Sequence, residues 1–534
     1  MSRCKRIVSY IVIVSMVCGL FLHSTVQAEE NKLEISAEKL SLIVGNTKTL
    51  KVTGTSDTVK WSSSKKSVAT VTSKGKVKAR NAGTAEITAT VGEEQVSCTV
   101  TVTNKKIRVL LKTTDFSNMY HNSITLTSGE DFTVSNGAKT KKYSGGKSVT
   151  IKTTNSMLKK GALTIKAANN GKIKVTSIKR SQGQPSYRGY FVIRYVKGKG
   201  LTLVNHLDLE EYLYSVVGSE MSSSFSKEAL KAQAVTARSF AYAHLNSSKY
   251  ASVFADLDDS TGYQVYNNIK EASSVISAVK ATKNTVLKSE NNKILATYFF
   301  STSAGQTCLP SEVWGGSGED LYYNSVLQIK DGTQKDLSTN TKFKNFYKDD
   351  ITTFDSKADW YRWSVKISKA NLQKGINNKI KSCYALYPSY VKVLQKNGTY
   401  KSQSISSIGT LKNLSIESRT KRGIVKTIKI TGSAATVKIS NATAIRMILA
   451  PFYDTVIKQN GSKVSKLSSL PSDFFYVVKN ASGSSVSYTI YGGGYGHGIG
   501  MSQNGANQMA KEGYKYKEIL GHYYKNLDVK NVAD

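Results

Sequence analysis

The 534-residue sequence is short of cysteine, of acidic side chains and of long apolar runs. Of its five cysteines, only Cys98, Cys308 and Cys383 lie beyond residue 28. An odd count spread this widely is no disulfide framework. It suits a bacterial exported protein that does without crosslinks, with Cys308–Cys383 the one pairing left open. Asp and Glu number 37 against 75 Lys and Arg, a formal charge of +38. Such a field attracts polyanions, and salt weakens the attraction. Two readings stand side by side: an anionic polymer of a Gram-positive wall as partner, or lysine serving merely as the ordinary surface residue. Past Leu22 no segment is apolar enough to span a bilayer.

What is present begins with an export signal. Arg3, Lys5 and Arg6 precede an apolar run from Ile7 to Leu22, and Val26-Gln27-Ala28 supplies small residues. Basic, apolar, small is the order of a secretory signal, here residues 1–28. The run is short for a membrane helix, which favours cleavage after Ala28 over an uncleaved anchor. Cys18 follows Val17, where a lipid-anchor site wants a small residue, so a lipoprotein is excluded. The expected location is secreted, on the cell wall or the outer membrane face, and nucleic acid drops out as a partner.

From residue 29 to 104 short alternating strands are separated by Gly, Asn, Asp and Ser turns, the pattern of an all-β sandwich. Residues 107 to about 204 stay β-rich. Asp208 then reads as a helix cap, with Glu211 completing an acidic capping box. Leu209, Tyr212, Leu213, Val216 and Val217 follow at helical spacing. Glu220 falls at the end of that stripe or on the turn beyond it. Ser226 caps a second helix whose small-residue face is Leu230, Ala234, Ala237 and Ala241, with Arg238 beside it. Tyr298–Gly305 runs from an apolar strand into a turn, Asp359–Trp363 reads as an aromatic strand, and 408–430 as alternating strands. Near the C-terminus, Tyr491–Gln503 packs six glycines around His497, and glycine allows close backbone approach. Helices are expected over 502–512 and 516–524.

A carboxyl at the end of an apolar stripe loses solvation, which raises its pKa and suits it to general-acid work. The alternative is an exposed glutamate on a last helical turn, and spacing alone favours that alternative, because most glutamates are exposed.

The first module, with Val59-Lys-Trp-Ser-Ser-Ser64, Ser67-Val-Ala-Thr-Val71 and Ala82-Gly-Thr-Ala-Glu-Ile-Thr88, resembles the bacterial Ig-like group 2 domain. In such a domain Trp61 is core, and the module is a spacer or adhesive arm. From 107 to 534, Glu211–Met221, Glu228–Ala241, Tyr187-Arg-Gly189, Gln264-Val-Tyr266, Ser301-Thr-Ser-Ala-Gly305, Val313-Trp-Gly315, Gly494–Gln503 and His522-Tyr-Tyr524 resemble the stage II sporulation protein D family. That resemblance implies an α+β catalytic domain, β-rich with a few helices, behind the all-β sandwich. It implies a lytic transglycosylase acting on peptidoglycan glycan strands, with Glu220 as acid and then base, and Arg238 and Tyr322 as further catalytic positions. Arg238 would bind a sugar substituent or pair with an acid; paired with Glu220, it would lower that pKa. The matched motifs place Gln264, Tyr266, Ser301, Ser303, His497, Ser502 and Gln503 at the substrate. For His497 and Gln503 a purely structural glycine-rich turn is the alternative.

The related amidase-enhancer type implies a second reading: a non-catalytic wall-binding protein that stimulates a partner amidase. An adhesin led by the Ig-like arm is a third. The pattern is broken where many relatives carry Pro, here Ser222, and where many carry His, here Phe300. Cys308 has no His close by and falls short of a four-ligand zinc set, so neither metal nor other cofactor is expected.

Overall fold

Residues 83–91 and 94–103 alternate small or apolar with polar side chains, and each becomes a strand with one face buried. The computed structural model describes residues 32–268, 270–316, 318–349, 351–483 and 485–534, so the secretory signal expected at 1–28 lies outside them. The two strands join Lys39–Ile43 and Lys60–Ser63 in a four-stranded sheet. A three-stranded sheet of Thr47–Thr49, Lys76–Ala79 and Ala69–Val71 accompanies it. Val77, Ile87, Cys98 and Val100 form their common core, and Trp61 packs on its edge. The chain's end reaches this module: Asp534 pairs with Arg80 at 2.6 Å, and the Asn284 side chain donates to Asn81 at 2.9 Å.

The next layer is a seven-stranded sheet whose central strands are Leu163–Ala167, Tyr190–Val196, Gly200–Asp208 and Lys106–Leu110. Three helices leave it: α1 (Leu209–Glu220), α2 (Lys227–Ala243) and α3 (Ser273–Ala281). Leu209, Tyr212, Leu213, Val216 and Val217 of α1 are all buried, as the spacing predicts, and so are Leu230, Ala234, Ala237 and Ala241 of α2. Each large apolar side chain so buried contributes about 1.5–3 kcal/mol. Helices Gln503–Lys511 and Tyr516–Tyr523 complete the cluster.

Between Trp363 and Gly492 the chain builds a second apolar core of its own, around Ile376, Val391, Ile430 and Ile490. It carries two five-stranded sheets. One holds Trp363–Ser368 and Ser485–Gly492; the other orders Tyr400–Ser402, Val391–Leu394, Thr436–Ile439, Val425–Gly432 and Leu411–Arg419.

Several local expectations need correction. Asp208 stands at the cap of α1 but makes no side-chain cap bond. Its carboxylate takes the Asn104 amide at 3.4 Å, and Glu211 faces Arg188 at 3.4 Å. Ser226 likewise caps only through its position, its N–H donating to Asn507. Asp359–Trp363 is a run of turns, because Tyr361 N–H bonds back to Ala358 O and Arg362 lies over the Tyr361 ring at 3.9 Å; the strand starts at Trp363. Cys308 and Cys383 are free and buried, so they do not pair.

Trp363 is fully buried opposite Gly492, and a Cβ at that glycine would fall inside the indole. Gly492→Ala is therefore expected to cost about 1–3 kcal/mol through overpacking, read as a lowered Tm in thermal unfolding.

Candidate active site

Helix α1 stops at Glu220 because Met221 takes extended backbone, φ −124 and ψ 147, while its side chain is buried in the core. A tight turn follows, closed by Phe225 N–H on Ser222 O and by a 2.8 Å contact between the hydroxyls of Ser222 and Ser224. Glu220 is left at the mouth of the α1–α2 pair, partly exposed to a cleft.

Two donors hold its carboxyl. Val265 N–H reaches Oε1 at 2.7 Å, and the Gln503 amide approaches Oε2 at 3.4 Å. Burial pushes the Glu220 pKa up to about 7, against the smaller opposing effect of these two bonds. Arg238 makes no contact with it, so nothing cationic reverses the shift. At neutral pH the group holds comparable fractions of acid and carboxylate.

The cavity in front of Glu220 measures about 360 Å³. Ser301, His497 and Gln503 line it together with the rings of Phe240, Tyr263, Tyr298, Phe300 and Tyr495, and Glu220 is its one acidic residue. An adjoining hollow of about 350 Å³ shares Tyr263, Tyr298 and His497 and ends at Trp314, His244 and Lys249. Trp314 is 41% exposed and packs on Tyr298 and His497 with ring centroids 4.7 and 5.1 Å apart. Exposed Tyr495, which lines the Glu220 cavity, packs against Trp360 with tilted rings 4.7 Å apart. Glu220 thus opens on a cavity walled largely by aromatic rings, and the adjoining hollow continues past Tyr298 and His497 to Trp314.

His497 is neutral here. Burial, reinforced by the charge of Arg446, pushes its pKa down to about 4. Ile499 N–H donates to Nδ1 at 3.1 Å, which leaves the ring proton on Nε2. The loop carrying it lies close against its neighbours: Gly500, at φ +74, sits where a Cβ would strike the carbonyl oxygen of Tyr298. Cys308 donates its thiol to His497 O at 3.3 Å, so it braces this loop. Among the described residues no group of three or more His, Cys, Asp or Glu side chains is placed to hold a metal ion.

The structure brings Glu220, Ser301, His497 and Gln503 to the cleft; six other sequence-based assignments require correction. Arg238 is fully buried, its guanidinium in a two-point bond with Glu210 at 2.8 Å and 2.8 Å. It also donates to Thr285 O at 3.0 Å and Val279 O at 3.2 Å, tying α1, α2, α3 and strand Thr285–Lys288 together. It positions α1 and is not among the residues that line the cavity. Tyr322 lies on the short turn Asp320–Tyr322, outside the residues that line the cavity. Gln264 is fully buried between the Tyr212 hydroxyl and Ala237 O, and the Tyr266 hydroxyl donates to Asn205 at 2.9 Å. These two flank Val265 and so fix the N–H that reaches Glu220. Ser502 caps helix Gln503–Lys511 and donates to Asp355 at 2.5 Å, while Ser303 N–H donates to the same carboxylate oxygen at 3.0 Å. They fix Gln503 in the same way.

Sequence reasoning misses Val265, whose contribution is a backbone donor that no side-chain pattern signals. It also misses Asp355, a lone acid outside every motif, and the aromatic lining, whose rings come from segments far apart in the chain.

Two measurements check these assignments. A carboxyl whose folded pKa exceeds its ordinary 4.5 holds its proton more tightly in the fold, so it loses stability as pH rises from about 4.5 to about 7. Glu220→Gln should thus be more stable than the wild type at pH 8, by about 2–3 kcal/mol, with the gap closing by pH 4.5 in thermal unfolding. Arg238→Met leaves Glu210 buried without its cation, with the Asn284 N–H as its remaining donor, and should cost about 3–5 kcal/mol. Adding Glu210→Gln should recover part of that loss, measured by urea unfolding.

Comparison with known proteins fits this architecture. A stage II sporulation protein family profile matches residues 197–288, a bacterial Ig-like domain (group 2) profile matches 31–102, and a domain of unknown function matches 311–500. The amidase enhancer of Bacillus subtilis (strain 168) is 29% identical over 319 residues, which are 58% of this chain and 39% of that protein. Stage II sporulation protein D of the same organism is 26% identical over 61% of this chain and 75% of its own length. Its counterpart in Bacillus amyloliquefaciens is 26% identical over 65% of this chain and 86% of its own length. Residues 197–288 are thus similar to the stage II sporulation protein family, and a region similar to the group 2 bacterial Ig-like domain lies ahead of them.

Proposed function

We propose that the protein is a peptidoglycan lytic transglycosylase that cuts the glycan strand between N-acetylmuramic acid and N-acetylglucosamine. One observation carries this reading: one desolvated carboxyl, near pKa 7 and the one acidic side chain among the described residues lining the cavity, stands beside the rings of Phe240, Tyr263, Tyr298 and Tyr495. Sugar rings present apolar C–H faces that pack on such aromatics.

Protonated Glu220 gives its proton to the glycosidic oxygen as the bond from that oxygen to muramic C1 breaks. The carboxylate then takes the proton of the muramic 6-hydroxyl while that oxygen bonds to C1. An anhydro ring closes, no water is consumed, and Glu220 is again protonated. Ordinary glycosidases need two carboxyls at a set separation; this route needs one. Val265 N–H and the Gln503 amide stabilise the carboxylate between the two transfers.

The second reading is a wall-binding protein that stimulates a separate amidase. The match to a relative named amidase enhancer favours it. Both place the protein at the wall, with glycan strands, anionic wall polymers and a cell-wall amidase as partners, outside the cell.

Digestion of purified, peptide-stripped glycan strands separates the two. The first reading expects anhydro-muramic ends by mass spectrometry, a rate that falls as pH rises through about 7, and a loss of about 100- to 10,000-fold in Glu220→Gln. Strands left intact by the wild type would sink it, and faster wall lysis by an added amidase would then support the second.

A further inference from the structure

Away from the Glu220 cleft lies a groove of about 570 Å³ between helix Asn340–Lys348 and strands Leu411–Arg419 and Phe475–Ser482. Lys344, Lys348 and Lys479 line it, all exposed, and no described Asp or Glu does. Lys344 and Lys348 are four residues apart and so share one helix face, where like charges repel. Ser415, on the groove's wall, opens onto a second feature. In the register of the adjoining sheet, Ser415 lies opposite Lys429, Lys429 opposite Lys438, and Lys438 opposite Lys392. Three lysines therefore face one another across neighbouring strands, about 4.8 Å apart strand to strand. Directly opposed like charges destabilise a sheet. Glu417 answers only Lys438, at 2.8 Å; no described carboxylate pairs with Lys392 or Lys429. The lysines sit on the sheet face opposite its buried Val391, Val437 and Ile430.

A groove of three lysines running into a ladder of three more is a linear array of positive charge, maintained at a cost to the bare fold. We propose that this track docks a linear poly(polyol phosphate) of the wall type, whose repeated phosphodiesters neutralise the array. Nucleic acid fits less well, because single strands are gripped by stacking bases on free aromatic faces. The groove's one ring, Tyr476, is buried and stacked on Tyr491 at 5.1 Å, and the Tyr400 ring beside the ladder is covered by the Lys438 ammonium at 4.4 Å. This docking is independent of Glu220 and of whichever wall activity the cleft performs.

The test uses the full chain and poly(glycerol phosphate) as probe, with binding followed by biolayer interferometry across a salt series. The wild type should bind, with affinity falling steeply as salt rises. Lys344→Gln/Lys348→Gln/Lys479→Gln, and separately Lys392→Gln/Lys429→Gln/Lys438→Gln, should each weaken binding at least tenfold. Each should also make the slope of log affinity against log salt shallower by about 2–3, the counterion release of three contacts. Arginine in place of the three groove lysines should preserve binding, which separates loss of charge from loss of fold. Removing three exposed lysines of the Ig-like module, Lys48, Lys60 and Lys76, should change affinity less than twofold. Equal weakening by that control, no binding by the wild type, or tighter binding of a base-bearing polyanion such as oligo(dT) of equal charge would each overturn the proposal.

Discussion

The buried ion pair between Glu210 and Arg238 is the contact on which the site depends. Two full charges leave water there, and a pair in that setting holds only when its remaining donors are satisfied. Arg238 meets that condition by spending the rest of its guanidinium on carbonyls of α2, α3 and the end of α3's connection to the next strand. The geometry follows from this. With α1 fixed at its first turn by Glu210 and along its length by an apolar stripe, its last residue has one place to go. Glu220 is set by a contact three turns away on its own helix.

The same logic recurs around the cleft. Gln264 and Tyr266 look like ligand-binding side chains, polar and aromatic in a distinctive motif, but each spends its polar atom on the fold. What the motif delivers is the residue between them, through a backbone N–H. Ser502 and Ser303 converge on Asp355, whose carboxyl burial pushes up to about 7, and what they deliver is Gln503. A buried carboxylate that gathers a hydroxyl and an amide N–H fixes two chain segments at once, at a desolvation cost that the rest of the fold must offset. The site is a small set of cleft-lining groups held by a larger set of buried polar anchors.

This division explains how much was readable in the sequence. The Ig-like sandwich, α1, α2 and the two C-terminal helices follow from apolar spacing and turn residues, because burial imposes those patterns directly. Glu220 was legible as the end of an apolar stripe, and its rise in pKa was legible as desolvation. Arg238 was not, because its partner Glu210 sits 28 positions away and next to another acid, Glu211, that faces Arg188 instead. Nothing in spacing tells which of two adjacent glutamates turns inward. The Asp359–Trp363 turn was misread for a related reason: aromatic side chains favour strands only when a neighbouring strand accepts them, and here Arg362 stacks on Tyr361 and the chain bends.

The placement of Arg238 also bears on the chemistry. A guanidinium against Glu220 would lower its pKa by about 1–3 units, leaving a carboxylate at neutral pH with no proton to give. Held by Glu210, the arginine supplies rigidity without supplying charge to the cleft, and desolvation is left as the dominant influence on Glu220. A group near pKa 7 gives up and takes back a proton with nearly equal ease, which is what a single residue must do if it is to serve both halves of the proposed reaction. The clamp therefore does two things for Glu220. It fixes where the carboxyl stands, and it holds the Arg238 charge on Glu210, at the other end of α1.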